Sequence, residues 1–483
     1  MNNKSYTNNN EIFEIMKKKH ILILFFVIIG MASCSDFLNE ESGDEVIVKT
    51  VSDYKELLLG SGYPSPTGKL YNTLYLLDDD YMLNEKSMWD PDNDYEGAVS
   101  AFPFFTWQPD MWENQNVNKT YYDDCYAMTY ERIVGVNAVL DGIEEAVGGT
   151  RQDMDIVKAE ALALRGYYYF MLVNIFGKPY KTDKESLGVP LKLNADMNTS
   201  GLDRNTVAEV YAQIVRDLEE SSELFCKYPK TRGDFRFNIP SVNIVLCRVY
   251  LQMENWDKVI EAATTAIDNG NPITNYTLLP AKNGTMASYD YSEVELLYGN
   301  GYSTCSLPGF KVSDELIGLF DDNDMRKVLW FYNGNVYKKR LGSKRTPTNA
   351  IRISEAYLCR AEAYARKNND DAAWKDLTKL RENRYKDYVP QRPTSNEALI
   401  KDIVKERRLE LCFDEVRWFD LRRNGMPSIV HLYKTKSVDE WQKYVLKDND
   451  PMYTLPLPNE VIQENPALRQ NESAAMPKRP ASV

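Results

Sequence analysis

Two stretches of this chain, "IVLCRVYLQMENWDKVIEAATTAI" (244–267) and "AYLCRAEAYARKNNDDAAWKDLTKL" (356–380), write the same pattern twice. Each reads as two helices joined by a tight polar turn. Leu246, Cys247 and Tyr250 mark the inner face of one first helix, and Trp256, Val259, Ala263 and Ala266 that of its partner. Tyr357, Ala361 and Tyr364, then Ala373, Leu377 and Leu380, repeat the scheme. Small residues let paired helices approach closely, while aromatics fill the space between successive pairs. A unit of this kind cannot bury its apolar face alone and stacks on neighbours.

The spacing is that of tetratricopeptide repeats, and weaker helical periodicity covers "YERIVGVNAVLDGIEEA", "AEALALRGYYYFMLVNIFG" and "TVAEVYAQIVRDLEESSEL". The fold class expected is mainly α, a tetratricopeptide-type α-α superhelix with little strand. The two strong repeats lie 114 residues apart, not a multiple of about 34, so something interrupts the array. Residues 272–345 are loop-rich in Gly, Asn, Pro and Tyr, and residues 61–120 form a second irregular stretch. Long irregular segments in a compact domain commonly carry binding function. No low-complexity linker appears, so residues 51–225 and 226–483 are expected to pack as one body.

The N-terminus points outside the cell. From Met16, an alternative start, three lysines precede an apolar run from Ile21 to Met31. Eleven residues span roughly 16 Å as helix, too short for a bilayer core of about 30 Å. Residues 1–33 therefore read as a signal peptide. It ends at Met31-Ala32-Ser33-Cys34, which resembles a lipobox, with Cys34 the lipidation site. Residues 34–50 are acidic and form a solvated tether.

Composition removes several functions. The net charge of −13 disfavours nucleic acid as a partner. Of seven cysteines, none forms a CxxC pair, so no zinc site is expected. Cys247, Cys359 and Cys412 fall in apolar helical patterns as buried free thiols, and no essential disulfide is expected. After residue 33 the one histidine is His431, which excludes multi-histidine metal sites and His-dependent triads. A glycosidase needs only two carboxylates, and Asp78-Asp79-Asp80 are adjacent, but neighbours in an extended run point to opposite faces. "DPDNDYEG" (90–97) spaces its acids like a calcium loop, yet Tyr95 and Ala101 stand where Gly and Glu belong. It reads as a solvated acidic loop. No enzyme, cofactor or metal is expected.

"ERRLELCFDEVRWFDLRRNG" (406–425) looks catalytic at first, with carboxylates beside arginines. On a single helix, Leu409, Cys412, Phe413, Val416 and Phe419 share one arc, and Arg407, Glu410, Asp414 and Arg417 line the far side as alternating charges. Asp420 alone falls inside the apolar arc and is expected to pair with an arginine. The stretch reads as scaffold.

These residues also carry a resemblance. Glu406-Arg407, Glu410-Leu411, Phe413, Arg417, Phe419-Asp420-Leu421 and Arg423 resemble the C-terminal signature of the SusD/RagB family of outer-membrane lipoproteins. "YTLPLPNEVIQENPALRQN" (453–471) resembles its closing segment, and "AEALALRGYYYFMLVNIFGKPY", "SDELIGLFDDNDMRK" and "RISEAYLCRAEAY" follow the family's order. The resemblance implies a cell-surface glycan-binding lipoprotein, anchored in the outer membrane and facing outward. It would hand oligosaccharide to a SusC-like TonB-dependent transporter. Other classes are a helical-repeat assembly protein that binds only protein, and a glycoside hydrolase.

Sugar rings have apolar faces that stack on exposed aromatic rings. The loop aromatics Tyr81, Trp89, Trp107 and Tyr302 are therefore the ligand candidates, while Trp112 and Tyr298 are expected to be buried. In starch-binding relatives one platform segment lies near the N-terminus and another in the middle region, comparable in chain order to Trp89, Trp107 and Tyr302.

Overall fold

The computed structural model describes residues 48–482, apart from 65–70, 72, 89–92, 114–123, 197–200, 231, 235, 280–289, 299–308, 333–335 and 338–348. Cys34, Trp89 and Tyr302, the signal peptide and most of the tether lie outside the described residues, as do residues 90–92 of the acidic loop.

Helices dominate. Those used below are α1 (Val51–Leu57), α2 (Cys125–Gly142), α3 (Arg151–Phe176), α4 (Val207–Lys227), α5 (Ile239–Gln252), α6 (Trp256–Asn269), α7 (Ile353–Arg366), α8 (Asp370–Arg381), α9 (Asn396–Leu411), α10 (Arg417–Arg423) and α11 (Asn459–Glu464), with further short helices between. Their starts are written locally. Thr150 Oγ1 accepts from Asp153 N–H while the Asp153 carboxylate accepts from Thr150 N–H, and Thr206 with Glu209 repeats this capping box at α4. Each helix packs on the next: α2 on α3, α3 on α4, α4 on α5, α5 on α6.

The two strong repeats fold as the sequence pattern requires. Leu246, Cys247, Val259, Ala263, Ala266, Ala361, Ala373, Leu377 and Leu380 are buried, and Trp256, Tyr357 and Tyr364 are half-buried. Their turns match as well: Glu254 (φ 54°) and Asn368 (φ 59°) take the left-handed conformation. The next residues, Asn255 and Asn369, cap α6 and α8 with their side chains. The third element of the array, α7, lies directly against α6 although 83 residues separate the helices.

The intervening chain leaves the helical stack and comes back. Strand β2 (Val294–Tyr298) pairs antiparallel with β4 (Asn349–Arg352), Val294 opposite Arg352, and so closes the excursion beside α7. Among the described residues there are three further pairs: β1 (Tyr81–Leu83) with β3 (Phe310–Val312), the short antiparallel pair Phe331–Tyr332 with Val336–Tyr337, and the hairpin β5 (Ile429–Tyr433) with β6 (Gln442–Leu446). The irregular stretch 61–120 also holds a helix, Glu96–Phe105, whose buried face carries Ala98, Ala101, Phe104 and Phe105. Thr50–Val483 forms one compact unit. Among the described residues no helix is long and apolar enough to cross a membrane.

Residues 406–425 do not form one helix. The chain turns between α9 and α10, where Phe413 (φ 61°) and Glu415 (φ 64°) are left-handed. The apolar set Leu409, Cys412, Phe413, Val416 and Phe419 is nevertheless buried throughout. The expected far side is not a solvated face either. Arg407, Glu410 and Asp414 are buried, because their partners arrive from elsewhere in the chain. Glu410 accepts from Arg326 (3.0 Å), Arg352 (2.6 Å) and Arg384 (2.9 Å). Glu406 holds Arg326 and Arg381, each at 2.6 Å, and Asp414 holds Arg352 at 2.8 Å. Asp420 is paired as expected, with Arg407 and Arg423, both at 2.8 Å. Burial by itself pushes the Glu410 carboxyl up, but the three guanidinium groups hold it well below the usual carboxylate range. Cys247, Cys359 and Cys412 are buried free thiols.

Candidate functional site

The flanks of the two irregular stretches meet. Across the β1–β3 pair, Tyr81 lies opposite Val312 and Leu83 opposite Phe310, and Asn84 N–H extends the ladder to Gly309 O at 2.7 Å. Trp89 stands five residues beyond Asn84 and Tyr302 seven before Gly309, so one strand pair anchors both loops. Gly309 is required here: its φ is +84°, and a Cβ would collide with the Tyr95 ring.

A third segment joins them. The turn of the β5–β6 hairpin lies beside Asp94 and Tyr95: Tyr95 N–H donates to Thr435 O at 2.8 Å, and Thr435 Oγ1 donates to Asp94 at 2.5 Å. Lys434 Nζ bonds Glu85 at 2.5 Å and sits 4.6 Å from the centre of the Trp441 ring. That ring is 38% exposed. Across the exposed face of the hairpin lie Val430 and Leu432, opposite Val445 and Lys443. Trp441 was not among the sequence candidates. Its signal is faint, a lone Trp in the polar run "KTKSVDEWQK" with no neighbouring aromatic.

Two of the named candidates do not reach this surface. Tyr81 is 3% exposed, its ring 4.7 Å from that of Phe413 and 6.4 Å from that of Phe310. Trp107 is fully buried (φ 51°), donates Nε1–H to Leu77 O at 3.0 Å, and stacks on His431 at 4.3 Å. Neither has a ring face left for a ligand; both hold the scaffold under the loops. Trp112 is buried as expected, donating to Pro456 O at 2.7 Å, whereas Tyr298 is half-buried and bonds Glu415 at 3.3 Å.

The three aspartates before β1 have partners already. Asp79 accepts from Arg417 Nε–H and Nη2–H, each at 2.7 Å, and Asp80 accepts from Arg408 at 3.0 Å. Their carboxylates lie within 4.8 Å of one another, the one grouping of acid, His and Cys ligand atoms of this kind among the described residues. Two guanidinium groups occupy the cation positions, and burial together with Asp80 and Asp79 pushes the Asp78 carboxyl up. His431 packs between Phe105 (3.9 Å) and Trp107, with its nitrogens 2.7 Å from Phe105 O and 3.0 Å from Asp78 O. Burial lowers its pKa to about 4 against the pull of those carbonyls. A ring so enclosed cannot reach a substrate proton.

Two family models match the chain: one described as "Starch-binding associating with outer membrane" over residues 68–251, the other as the SusD family over residues 323–473. Together they cover more than half of it. This chain belongs to the SusD family. Solved structures agree on the fold. A SusD superfamily protein from Bacteroides thetaiotaomicron VPI-5482 is 23% identical with a TM-score of 0.68, covering 87% of this chain and 99% of its own. A SusD-like carbohydrate binding protein from Bacteroides vulgatus ATCC 8482 is 21% identical with a TM-score of 0.66, covering 87% and 97%. A laminarin-binding SusD-like protein is 18% identical with a TM-score of 0.61, covering 88% and 99%. A search of curated proteins finds no match. The SusD-like, mainly helical fold expected from the sequence is the fold found.

Proposed function

We propose that this SusD family member is a cell-surface lipoprotein that binds a glycan and delivers it to a SusC-like TonB-dependent transporter. The observation that carries the reading is the meeting of Asn84–Glu85, Asp94–Tyr95, residues 309–312 and residues 434–441, with Trp441 exposed. An aromatic face beside Lys434, Thr435 and Asp94 offers the stacking surface and hydrogen-bonding groups that a sugar ring requires. Trp89 and Tyr302 belong to the loops rooted here and are proposed to extend the platform. Membership of a family with a starch-binding model, and a neighbour that binds laminarin, supports the ligand class. In this reading residues 1–33 are a signal peptide, Cys34 carries the lipid, residues 34–50 form the tether, and no catalysis occurs.

Affinity electrophoresis of the mature protein against a glycan panel that includes laminarin tests the proposal. Retardation by at least one glycan is expected, with Trp441→Ala weakening it about tenfold, in line with about 1–1.5 kcal/mol for a stacked aromatic contact. Indifference to every glycan and oligopeptide would leave the protein-only assembly reading standing. Hydrolysis of a bound glycan would restore the hydrolase.

A further inference from the structure

A separate cleft opens between α2, the residues Pro190, Lys192 and Leu202, and α11 with the residues that follow it, enclosing about 470 Å³. That volume lies within the range of roughly 300–1,000 Å³ typical of small-molecule sites. On α2, Tyr126, Tyr130 and Val134 stand at i, i+4 and i+8, on the same face of the helix, and line the cleft together with Leu202, Val461 and Leu468. Tyr130 is fixed by donating its hydroxyl to Pro190 O at 2.7 Å. The lining is thus a mostly apolar slot with one aromatic wall.

One buried charge sits in it. Lys192 lines the cleft and is 4% exposed. Its backbone is held firmly, N–H donating to Tyr169 Oη at 2.7 Å and C=O accepting from Asn137 at 2.9 Å. Its ammonium has no hydrogen bond or ion pair among the described residues. Arg204, close enough for its charge to act on Tyr126 and Tyr130, shares the predicament. All its donors go to Gly188, Arg469, Phe176 and Leu187 carbonyls and to Asn471, and no carboxylate pairs with it among the described residues. Burial accordingly lowers it to about 10. Buried cations are ordinarily paired, as the arginines around Glu410 are. Here neither Lys192 nor Arg204 has an ion-pair partner among the described residues.

We propose that this cleft binds a carboxylate joined, directly or through a short arm, to a six-membered ring, the carboxylate on Lys192 and the ring against the Tyr126–Tyr130 wall. Exposed Glu131 and Glu464 also line the cleft and repel a second negative charge, which favours a monoanion over a phosphate. The site is distinct from the Trp441 surface and does not rest on the glycan reading.

Isothermal titration of the mature protein with 4-hydroxycinnamate, its methyl ester and D-glucuronate provides the test. At least one of the two acids binds, and the acid that binds tells an aromatic source from a uronic one. The methyl ester binds at least tenfold more weakly than 4-hydroxycinnamate where that acid is the ligand. Lys192→Gln, and Val134→Trp to fill the slot, each weaken the bound acid at least tenfold and leave retardation by glycan unchanged. Failure of both acids, an ester equal to its acid, or binding that survives both substitutions would overturn the proposal, and the ester comparison needs no variant to fold.

Discussion

Phe413 and Glu415 turn the chain with two left-handed residues where a continuous helix would have carried Asp414 and Arg417 to solvent. The turn lets Glu410 end α9 among three arginines, buried and fully hydrogen-bonded. Removing one partner of such a set leaves uncompensated buried charge. Glu410→Ala is therefore expected to cost about 3–5 kcal/mol in urea denaturation. Asp420 was legible in sequence because a lone acid on an apolar arc demands a cation. Glu410 was not, since Arg326, Arg352 and Arg384 are 26 to 84 residues away and no local period announces them. His431 makes a pH prediction. Its pKa falls from 6.5 to about 4 on folding, so the neutral ring favours the native state. The contribution is complete above pH 6.5 and is lost as pH falls from 6.5 towards 4, worth about 3 kcal/mol in all. Denaturant midpoints measured across that window should decline, and His431→Asn should flatten the slope.

At the scale of elements, helices were the readable part. Small-residue spacing marked α5 through α8 because close helix contact tolerates little else, and Glu254 and Asn368 show that even the turns repeat. The same logic predicts Gly135. A Cβ on this α2 residue would lie 2.6 Å from Ser61 O, a backbone atom that cannot swing aside. Gly135→Ala should destabilise by about 1–3 kcal/mol in thermal melts. Loop aromatics were harder to place. Tyr81 and Trp107 have the composition of a sugar platform in sequence, yet the strand ladder to Val312 and the Trp107–His431 stack draw both inward. Trp441 had only a faint signal in the sequence; it sits just past the end of the β5–β6 ladder, its ring 38% exposed beside the buried Lys434.

For the molecule as a whole, the helical stack supplies rigidity and the excursions supply surface. In the proposed reading a lipid on Cys34, rather than a spanning helix, holds this body at a membrane. Cys34→Ala should move the protein from the membrane fraction to the supernatant in cell fractionation, and retention in the membrane would refute the anchor.

Because α6 touches α7 and the β2–β4 pair staples the excursion shut, the 83 residues between those helices enter and leave at one doorway. Such a segment can be lengthened, shortened or exchanged for a cousin's without rethreading the stack. Natural variants of this architecture have a ready place to acquire new tastes while the frame beneath them stays the same.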